Sequence, residues 1–413
     1  MNNTKYSDSW ATTSMASSPT PGKFPIVALN CFPYKTISMT QQMVEDLIDC
    51  GFNAGVFQSS ETAITNAFKA IDDADFRMIL QHPSLTRSES ECRAFVNLYK
   101  EKSSLGGWIV DNEAEFEKFD TYAKYLSLIS SLDALHPAFP MLYAGANSKL
   151  LGAGNDFSTY LNAAQSKMSP SIWAYTFASF RKNGCSSYIN GTLFYRDVGL
   201  ISHKAHSLKR PFWGVCHCQS KVNFDHEFPT PTEAMLRFQV FAAIAAGARG
   251  IVFDSYCLTP NNNIQTYLLA PMDSKGNKTP IWHYLKKVIT EARSYGDRFM
   301  GIEFIECRYT GYAIPGMTHM SGSFGVITRM STSLAGTMVC HYKSGNKNHM
   351  LILNRDVDNF QNIKFETQKN PSIFEVPSYP VLPDVGATPS TERKRTLPPG
   401  GYIYLSWDSS VKG

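Results

Sequence analysis

The sequence lacks the features that mark several common classes of protein. It contains no run of about 18 apolar residues, so no membrane span is predicted, and its best apolar stretch, Phe238 to Ala248, stops at Arg249. Residues 1–22 are polar, rich in serine and threonine, and without the apolar segment of a signal peptide. This tail leaves export of the protein undecided.

An excess of charge of one sign is also missing. The 39 lysines and arginines outnumber the 35 aspartates and glutamates by four, and so small and evenly spread a difference predicts no nucleic-acid partner. No Gly-x-Ser-x-Gly motif is present, which argues against a serine hydrolase with a nucleophile elbow. The first predicted strand is followed by Asn30-Cys-Phe-Pro-Tyr34 rather than by a glycine-rich phosphate-binding turn.

The nine cysteines do not form a recognisable framework. They are scattered from Cys31 to Cys340 in apolar segments, and a chain of this length does not need disulfides to be stable. We expect most of them to be small buried apolar side chains. Cys216-His217-Cys218 is the one cluster that suggests a metal, but no second Cys/His pair lies at zinc-site spacing. We predict no metal and no cofactor.

Short apolar segments alternate with amphipathic ones over most of the chain. Hydrophobic residues make up 43% and charged residues 18%, which predicts a large core and excludes wholesale disorder. Strands are predicted at 24–30, 53–57, 76–81, 107–111, 139–143, 171–177, 211–216 and 250–254. Helices are predicted at 40–50, 62–70, 88–102, 113–132, 156–168, 192–208, 232–246 and 281–295. Eight such pairs indicate an α/β fold of the (β/α)8 TIM-barrel type; the competing doubly wound sheet usually has about five or six strands.

The pattern changes after Phe299. Short strands separated by turn residues are predicted at 303–309, 325–328, 336–341, 349–353, 363–366 and 402–405. They are typical of a small all-β antiparallel sandwich. We therefore predict a polar tail at 1–22, a barrel at 23–299 and a sandwich domain at 300–413.

The active site of a β/α barrel lies at the C-terminal ends of its strands. The candidate ligand-binding residues at those ends are Asn30, Tyr34, Gln58, His82, Asp111, Asn112, Tyr143, Asn147, Tyr175, His217, Gln219 and Tyr256. Amides, carboxylates and tyrosines suit a hydroxylated ligand, because they hydrogen-bond hydroxyl groups and stack on sugar rings. We therefore predict a carbohydrate substrate.

Glu113 is the strongest catalytic candidate, since it follows the buried strand that contains Trp108. A carboxyl group at such a mouth can have its pKa raised and act as a general acid. The alternative is an acidic residue in the first turn of the next helix. Asp254, at the end of the eighth strand, is the best second carboxylate, although pairing with Arg249 or another cation of the barrel would explain it equally well.

Asp225 and Glu227, in the long loop after the seventh strand, are further alternatives for the second carboxylate, and both could be solvated loop charges. Glu233, Arg237 and Gln239 fall on a predicted helix, where we expect packing or ion pairing.

Several motifs resemble those of glycoside hydrolases from polysaccharide-degrading gut bacteria, which have a barrel followed by a β-sandwich. The motifs are Gly107-Trp-Ile-Val-Asp-Asn-Glu-Ala114, Pro211-Phe-Trp213, Pro231-Thr-Glu-Ala-Met-Leu-Arg-Phe-Gln239, Ala246-Gly-Ala-Arg-Gly-Ile251 and Leu397-Pro-Pro-Gly400. By this resemblance Glu113 takes the place of the acid/base glutamate. The resemblance also implies a periplasmic or extracellular location.

The pair Asn112-Glu113 is similar to the asparagine-glutamate pair that ends strand four in the large retaining clan of barrel glycosidases. Asn112 stands where the closer family has aspartate, and Ala114 where it has proline. That clan has its nucleophile glutamate at the end of strand seven, where this chain reads Cys216-His-Cys-Gln219. Asp254 on the strand opposite could instead form an inverting pair with Glu113, roughly 6.5–9.5 Å apart.

The sequence therefore predicts a glycoside hydrolase with Glu113 as general acid/base and Asp254 as nucleophile or base. One alternative is a non-catalytic carbohydrate-binding barrel that has lost the strand-seven nucleophile. Another is a metal-dependent hydrolase or lyase that uses His82 and His217.

Overall fold

The structure is a computed structural model. It describes residues 20, 22–31, 39–72, 74–142, 152, 156–176, 192–223, 227–263, 265–300, 302–313, 317–333, 335–368, 374–377 and 391–408. In its first part the strands are β1 Ile26–Ala28, β2 Ala54–Phe57, β3 Arg77–Gln81, β4 Leu105–Ala114, β5 Ala138–Leu142, β6 Trp173–Thr176, β7 Phe212–His217, β8 Ser220–Asn223, β9 Glu227–Phe228, β10 Ile251–Asp254 and β11 Gln265–Leu269. The first seven strands and β10 form a closed parallel barrel in the order β1-β10-β7-β6-β5-β4-β3-β2, which confirms the predicted TIM barrel.

Helices follow the barrel strands, and local sequence explains where they begin. They are α1 Gln41–Cys50, α2 Glu61–Ile71, α3 Ser84–Arg87, α4 Glu89–Tyr99, α5 Phe119–Leu132, α6 Phe157–Ala163, α7 Thr192–Ser207, α8 Glu233–Ala245 and α9 Pro280–Met300. The side chains of Thr40, Ser60, Ser88, Asp156 and Thr232 each accept a hydrogen bond from the backbone N–H three residues on. Such N-caps satisfy amide groups that a helix cannot pair internally.

Side chains alternate between the inside of the barrel and the surrounding helices. The inner core consists of Val27, Leu29, Ala54, Val56, Ile79, Ile109, Phe139, Met141, Ile172, Ala174, Trp213, Val215 and Val252. Because alternate residues of a strand point to the same face, the next inward positions toward the C-terminal ends are Gln58, Gln81, His217 and Asp254. The same alternation that fills the barrel with apolar side chains therefore places polar side chains at the C-terminal end of the barrel.

Two antiparallel sheets form the C-terminal part. Their strands are β12 Glu303–Tyr309, β13 Thr318–His319, β14 Ile327–Ser331, β15 Thr337–Ser344, β16 Lys347–Asn354, β17 Gln361–Thr367, β18 Phe374–Pro377, β19 Glu392–Leu397 and β20 Tyr402–Asp408. A six-stranded sheet (β13-β12-β15-β16-β20-β18) and a three-stranded sheet (β14-β17-β19) enclose a separate apolar core that includes Val326, Ile352 and Phe365. The predicted sandwich is confirmed, while the exact domain limits at residues 22/23 and 299/300 remain a proposal.

Helix α8 joins the barrel to the six-stranded sheet. Every residue from Met235 to Ala245 is buried, as expected for a helix that is covered on all sides. The ring of Tyr402 stacks on Phe241 with 3.8 Å between centroids, and the Tyr342 hydroxyl donates to the carbonyl of Ile244. The most apolar segment of the sequence is therefore an inter-domain core helix, and within the described residues no helix is long and apolar enough to span a membrane.

Most described cysteines are buried, as predicted. Cys307 and Cys340 are opposite each other on β12 and β15 and form a disulfide that the sequence did not predict. The unpaired, buried cysteines are Cys31, Cys50, Cys92, Cys216, Cys218 and Cys257. Cys185 lies outside the described residues.

Candidate active site

The end of β4 is irregular and carries Glu113. The register between β4 and β5 shifts on both sides of Asn112, as at β-bulges, which re-aim side chains. Glu113 has a φ of 63°, a left-handed backbone conformation that is uncommon for a residue other than glycine. The start predicted for the next helix, at Glu113, is therefore wrong: β4 continues to Ala114, and α5 begins at Phe119 after a short 3-10 turn.

The surroundings of Glu113 favour its neutral form. Its side chain is reached by solvent, yet protein surrounds the carboxyl group closely enough for burial to be the main cause that raises its pKa to about 7. The negative charge of Asp254 raises this pKa further, the Lys221 cation opposes the rise, and Asp111 adds a smaller increase. A glutamic acid with such a pKa still holds its proton near neutral pH, as a general acid must.

Asp254 belongs to the opposite side of the barrel and is fixed by a short chain of hydrogen bonds. Strands β4 and β10 are four places apart in the ring of eight. The Ser255 hydroxyl donates to Asp254 Oδ1 at 2.6 Å, and the side-chain amide of Asn30 donates to that hydroxyl at 2.7 Å. Asn30, predicted to bind ligand, is thus engaged in positioning Asp254.

The described residues test one of the alternative explanations for the second carboxylate. Arg249 precedes β10 and donates to the carbonyl of Ile302, whereas Asp254 ends the strand, so the predicted pairing of Arg249 with Asp254 is wrong. Asp225 lies outside the described residues, and of Glu227 only the backbone, in β9, is described.

The end of β7 presents a histidine instead of a carboxylate. His217 is the register partner of Asp254, and its Nδ1 lies 3.7 Å from Asp254 Oδ2. The Gln239 side chain accepts from the His217 amide at 2.9 Å and donates to its carbonyl at 3.1 Å. Helix α8 therefore holds the end of β7, which goes beyond the packing role predicted for Gln239.

Predictions for the other two polar residues of α8 are confirmed. Arg237 forms ion pairs with Glu233 and, at 2.8 Å, with Glu291 on α9. These contacts lie on the helix layer, so they support the fold rather than the site.

A small sheet after β7 and β10 adds residues that the sequence reasoning missed. Strands β8, β9 and β11 form it, with Lys221 and Tyr267 in register. The ammonium group of Lys221 lies 4.6 Å from the Phe228 ring centroid and 5.9 Å from that of Tyr267. Burial raises the pKa of Tyr267, and the charges of Asp254 and Glu113 add to it, so the sheet edge lies beside both carboxylates. Thr266 and Tyr267, residue types that are favoured in strands, were the available signal, but the segment is short.

On the β2–β4 side, four predicted residues lie at the mouth. Gln58 is exposed, and Asn112 is half-buried. His82 stacks on Phe95 with centroids 4.6 Å apart, and Asp111 accepts hydrogen bonds from the Tyr122 hydroxyl and the Asn112 amide.

Two of the predicted ligand residues are not available to a ligand. Tyr256 is buried beneath the helix layer, where its hydroxyl accepts from Trp282 Nε1 at 3.0 Å. Gln219 is buried, and its side-chain oxygen accepts from the Thr259 hydroxyl at 3.4 Å. Tyr34, Tyr143 and Asn147 lie outside the described residues, and for Tyr175 the structure describes only the backbone, in β6.

The two histidines of the metal-dependent alternative do not meet. His82 follows β3 and His217 ends β7, and these strands are on opposite sides of the ring. Among the described residues, no group of three His, Cys, Asp or Glu side chains is arranged to hold a metal ion.

Comparisons with known proteins place this fold among glycoside hydrolase barrels. No family model and no curated protein sequence matches the chain. A catalytic mutant of a family 42 β-galactosidase from G. stearothermophilus has a TM-score of 0.60 at 8% identity, covering 96% of this chain and 100% of its own. A family 5 glycoside hydrolase from Bacteroides vulgatus has a TM-score of 0.58 at 9% identity, covering 94% and 90%. An α-L-arabinofuranosidase from Thermotoga maritima has a TM-score of 0.54 at 8% identity, covering 96% and 98%. At such identities the likeness shows the fold, and the chemistry has to be argued from the site.

Proposed function

We propose that this protein hydrolyses a glycosidic bond in an oligo- or polysaccharide, with Glu113 as general acid and Asp254 as the second carboxylate. The observation that carries the proposal is that these two carboxyl groups, on opposite strands at the C-terminal mouth, are close enough for the charge of Asp254 to raise the pKa of Glu113. Glycoside hydrolysis normally requires such a pair of carboxyl groups on either side of the scissile bond. The fold shared with several glycoside hydrolases supports the same conclusion.

The two carboxyl groups have environments suited to different roles. Glu113 holds its proton near neutral pH and donates it to the glycosidic oxygen as the bond to the anomeric carbon breaks. Asp254 is oriented by the Ser255 hydroxyl, and His217 Nδ1 lies 3.7 Å from its other carboxylate oxygen. As general base it takes a proton from a water molecule, whose oxygen attacks the anomeric carbon on the face opposite the leaving group. This division of roles would invert the anomeric configuration.

Glu113→Gln tests the acid directly. Turnover of glycosides with a poor leaving group, such as methyl glycosides or oligosaccharides, should fall by about 10²–10⁴-fold. Dinitrophenyl glycosides should be hydrolysed at nearly the original rate, because a dinitrophenolate departs without a proton. The matched control is Glu117→Gln, at an exposed position of the 3-10 turn before α5, which should leave both rates unchanged. An equal loss on both kinds of substrate, or no loss on either, would refute this role for Glu113.

Asp254→Asn tests the second carboxylate. We expect a loss of about 10²–10⁴-fold on both classes of leaving group, because attack at the anomeric carbon is needed in either case. A stable, folded variant that keeps full activity would remove Asp254 from the mechanism.

A second candidate function is carbohydrate binding without catalysis. It is favoured by His217 at the end of β7, where the retaining clan has its nucleophile. A chain that binds oligosaccharides in calorimetry but releases no reducing ends after prolonged incubation would support this function over hydrolysis.

A location outside the cytoplasm is proposed on the basis of the Cys307–Cys340 disulfide, since such bonds persist in oxidising compartments. Mass spectrometry after thiol alkylation in denaturant should find both residues unmodified, because denaturation would expose any free thiol at these buried positions. Their complete alkylation without reductant would contradict the proposed location.

A further inference from the structure

A cavity lies on the β2–β4 side of the barrel mouth, between the ends of β2, β3 and β4 and the start of α5. Its volume is about 360 Å³, near the lower end of the range for small-ligand pockets, about 300–1,000 Å³. The polar lining includes Gln58, Gln81, His82, Asp111, Thr121 and Tyr122. Neither Glu113 nor Asp254 belongs to its lining.

Gln81 gives the cavity a buried acceptor. Its residue is only 7% exposed, and no donor in the described part of the chain reaches its Oε1 atom. A buried amide oxygen without a hydrogen bond is costly, and this residue lines the cavity. A small turn of this amide toward the cavity would let a hydroxyl group of a bound molecule satisfy it.

His82 offers a donor in a fixed orientation. Its Nδ1 accepts from the Ser84 amide at 3.2 Å, and its ring is stacked on Phe95. A neutral imidazole whose Nδ1 accepts carries its proton on Nε2. The cavity thus combines an acceptor, the Gln81 side-chain oxygen at the end of β3, with a donor, the Nε2–H group of His82.

The charges around the cavity argue against an anionic ligand. The Asp111 carboxylate, which accepts from Tyr122, lines one side, and it would repel a phosphate, sulfate or carboxylate group. The cation of the lining, Lys118, is ion-paired with Glu115 at 3.1 Å. Closely spaced neutral donors and acceptors match the hydroxyl groups of an uncharged sugar.

We propose that this cavity is a subsite that binds one neutral monosaccharide unit of the substrate next to the cleaved bond. The inference deepens the proposed function and rests on it. Asp111 and Glu113 are two residues apart on β4, at most about 7 Å along the chain, so a sugar in the cavity adjoins the one whose bond Glu113 protonates.

The test measures binding of simple probes rather than turnover. Methyl glycosides of glucose, galactose, mannose, xylose and arabinose are titrated to about 50 mM, and the threonine methyl signals of Thr86 and Thr121, both in the lining, are followed by NMR. At least one probe should bind with a dissociation constant in the millimolar range, at or above about 1 mM. Gln81→Met should weaken binding of that probe by about tenfold or more. Gln42→Met, at an exposed position on α1, should leave it unchanged.

A second variant covers the case in which Gln81→Met fails to fold. Gln58→Ala removes an exposed lining residue and should weaken the same probe severalfold. Failure of all probes to shift the two threonine signals, or binding that neither variant weakens, would overturn the subsite. Tighter binding of methyl glucuronide than of methyl glucoside would overturn the neutral ligand class. None of these outcomes depends on Glu113 or Asp254, so failure of the subsite is distinguishable from failure of the hydrolase proposal.

Discussion

At the scale of single residues, the raised pKa of Glu113 has a consequence for stability. Its pKa is about 7 in the folded chain and about 4.3 in an unfolded one, so the folded state prefers the protonated form. This preference lowers the free energy of unfolding as pH rises from about 4 to 7, and the full cost is present above pH 7. Keeping a carboxyl group here therefore costs stability at alkaline pH.

Glu113→Gln should remove that cost. We expect the variant to melt about 1–3 °C above the parent at pH 8, a small shift because the side chain is partly hydrated. At pH 4 the two proteins should melt together. Calorimetry at both pH values checks this, and a variant that is less stable than the parent at pH 8 would contradict it.

Lys221 acts in the opposite direction on the same carboxyl group. Its cation lowers the pKa of Glu113, so Lys221→Met should raise that pKa. The alkaline limb of the pH–rate profile, which reports loss of the proton from the acid, should move to higher pH by less than about one unit. Lys69→Met, at an exposed position on α2, is the charge-matched control. If the alkaline limb of the profile stays at the same pH in Lys221→Met, Lys221 does not act on the pKa of Glu113.

At the scale of elements, the end of β7 depends on helix α8. Gln239→Leu removes the two side-chain hydrogen bonds to the backbone of His217 and should cost about 2–4 kcal/mol of unfolding free energy. It should also lower kcat, because His217 adjoins Asp254. Denaturant unfolding and steady-state kinetics measure both, with exposed Gln41→Leu as control. An unchanged free energy of unfolding would show that the end of β7 does not depend on the hydrogen bonds from Gln239.

The elements also show how far the sequence could be interpreted. Alternation of apolar segments predicted the eight barrel strands, because each strand must bury its side chains on both faces. It could not predict that β4 runs on to Ala114, since a bulge and the left-handed Glu113 depend on contacts with β5. Lys221 and Tyr267 were missed because β8 and β11 are short strands whose pairing is distant in sequence. Tyr256 was misplaced because its direction depends on the turn after β10.

At the scale of the whole molecule, the barrel and the sandwich share one interface. Tyr402 is 1% exposed and packs against Phe241 and Tyr295. Tyr402→Ala should lower the free energy of unfolding by about 3–5 kcal/mol, as for other large buried rings. Tyr312→Ala, whose residue is 47% exposed, should change it little. Thermal and urea unfolding of both variants checks this, and equal effects would argue that the interface adds no stability.

The most direct measurement is an NMR titration of Glu113 in protein labelled with ¹³C at the glutamate carboxyl carbons, with the signal assigned by its loss in Glu113→Gln. The two-carboxylate site predicts a midpoint near pH 7 that falls toward the ordinary glutamate value in Asp254→Asn. A midpoint near 4.3 that is the same with and without Asp254 would contradict the shared site at the barrel mouth.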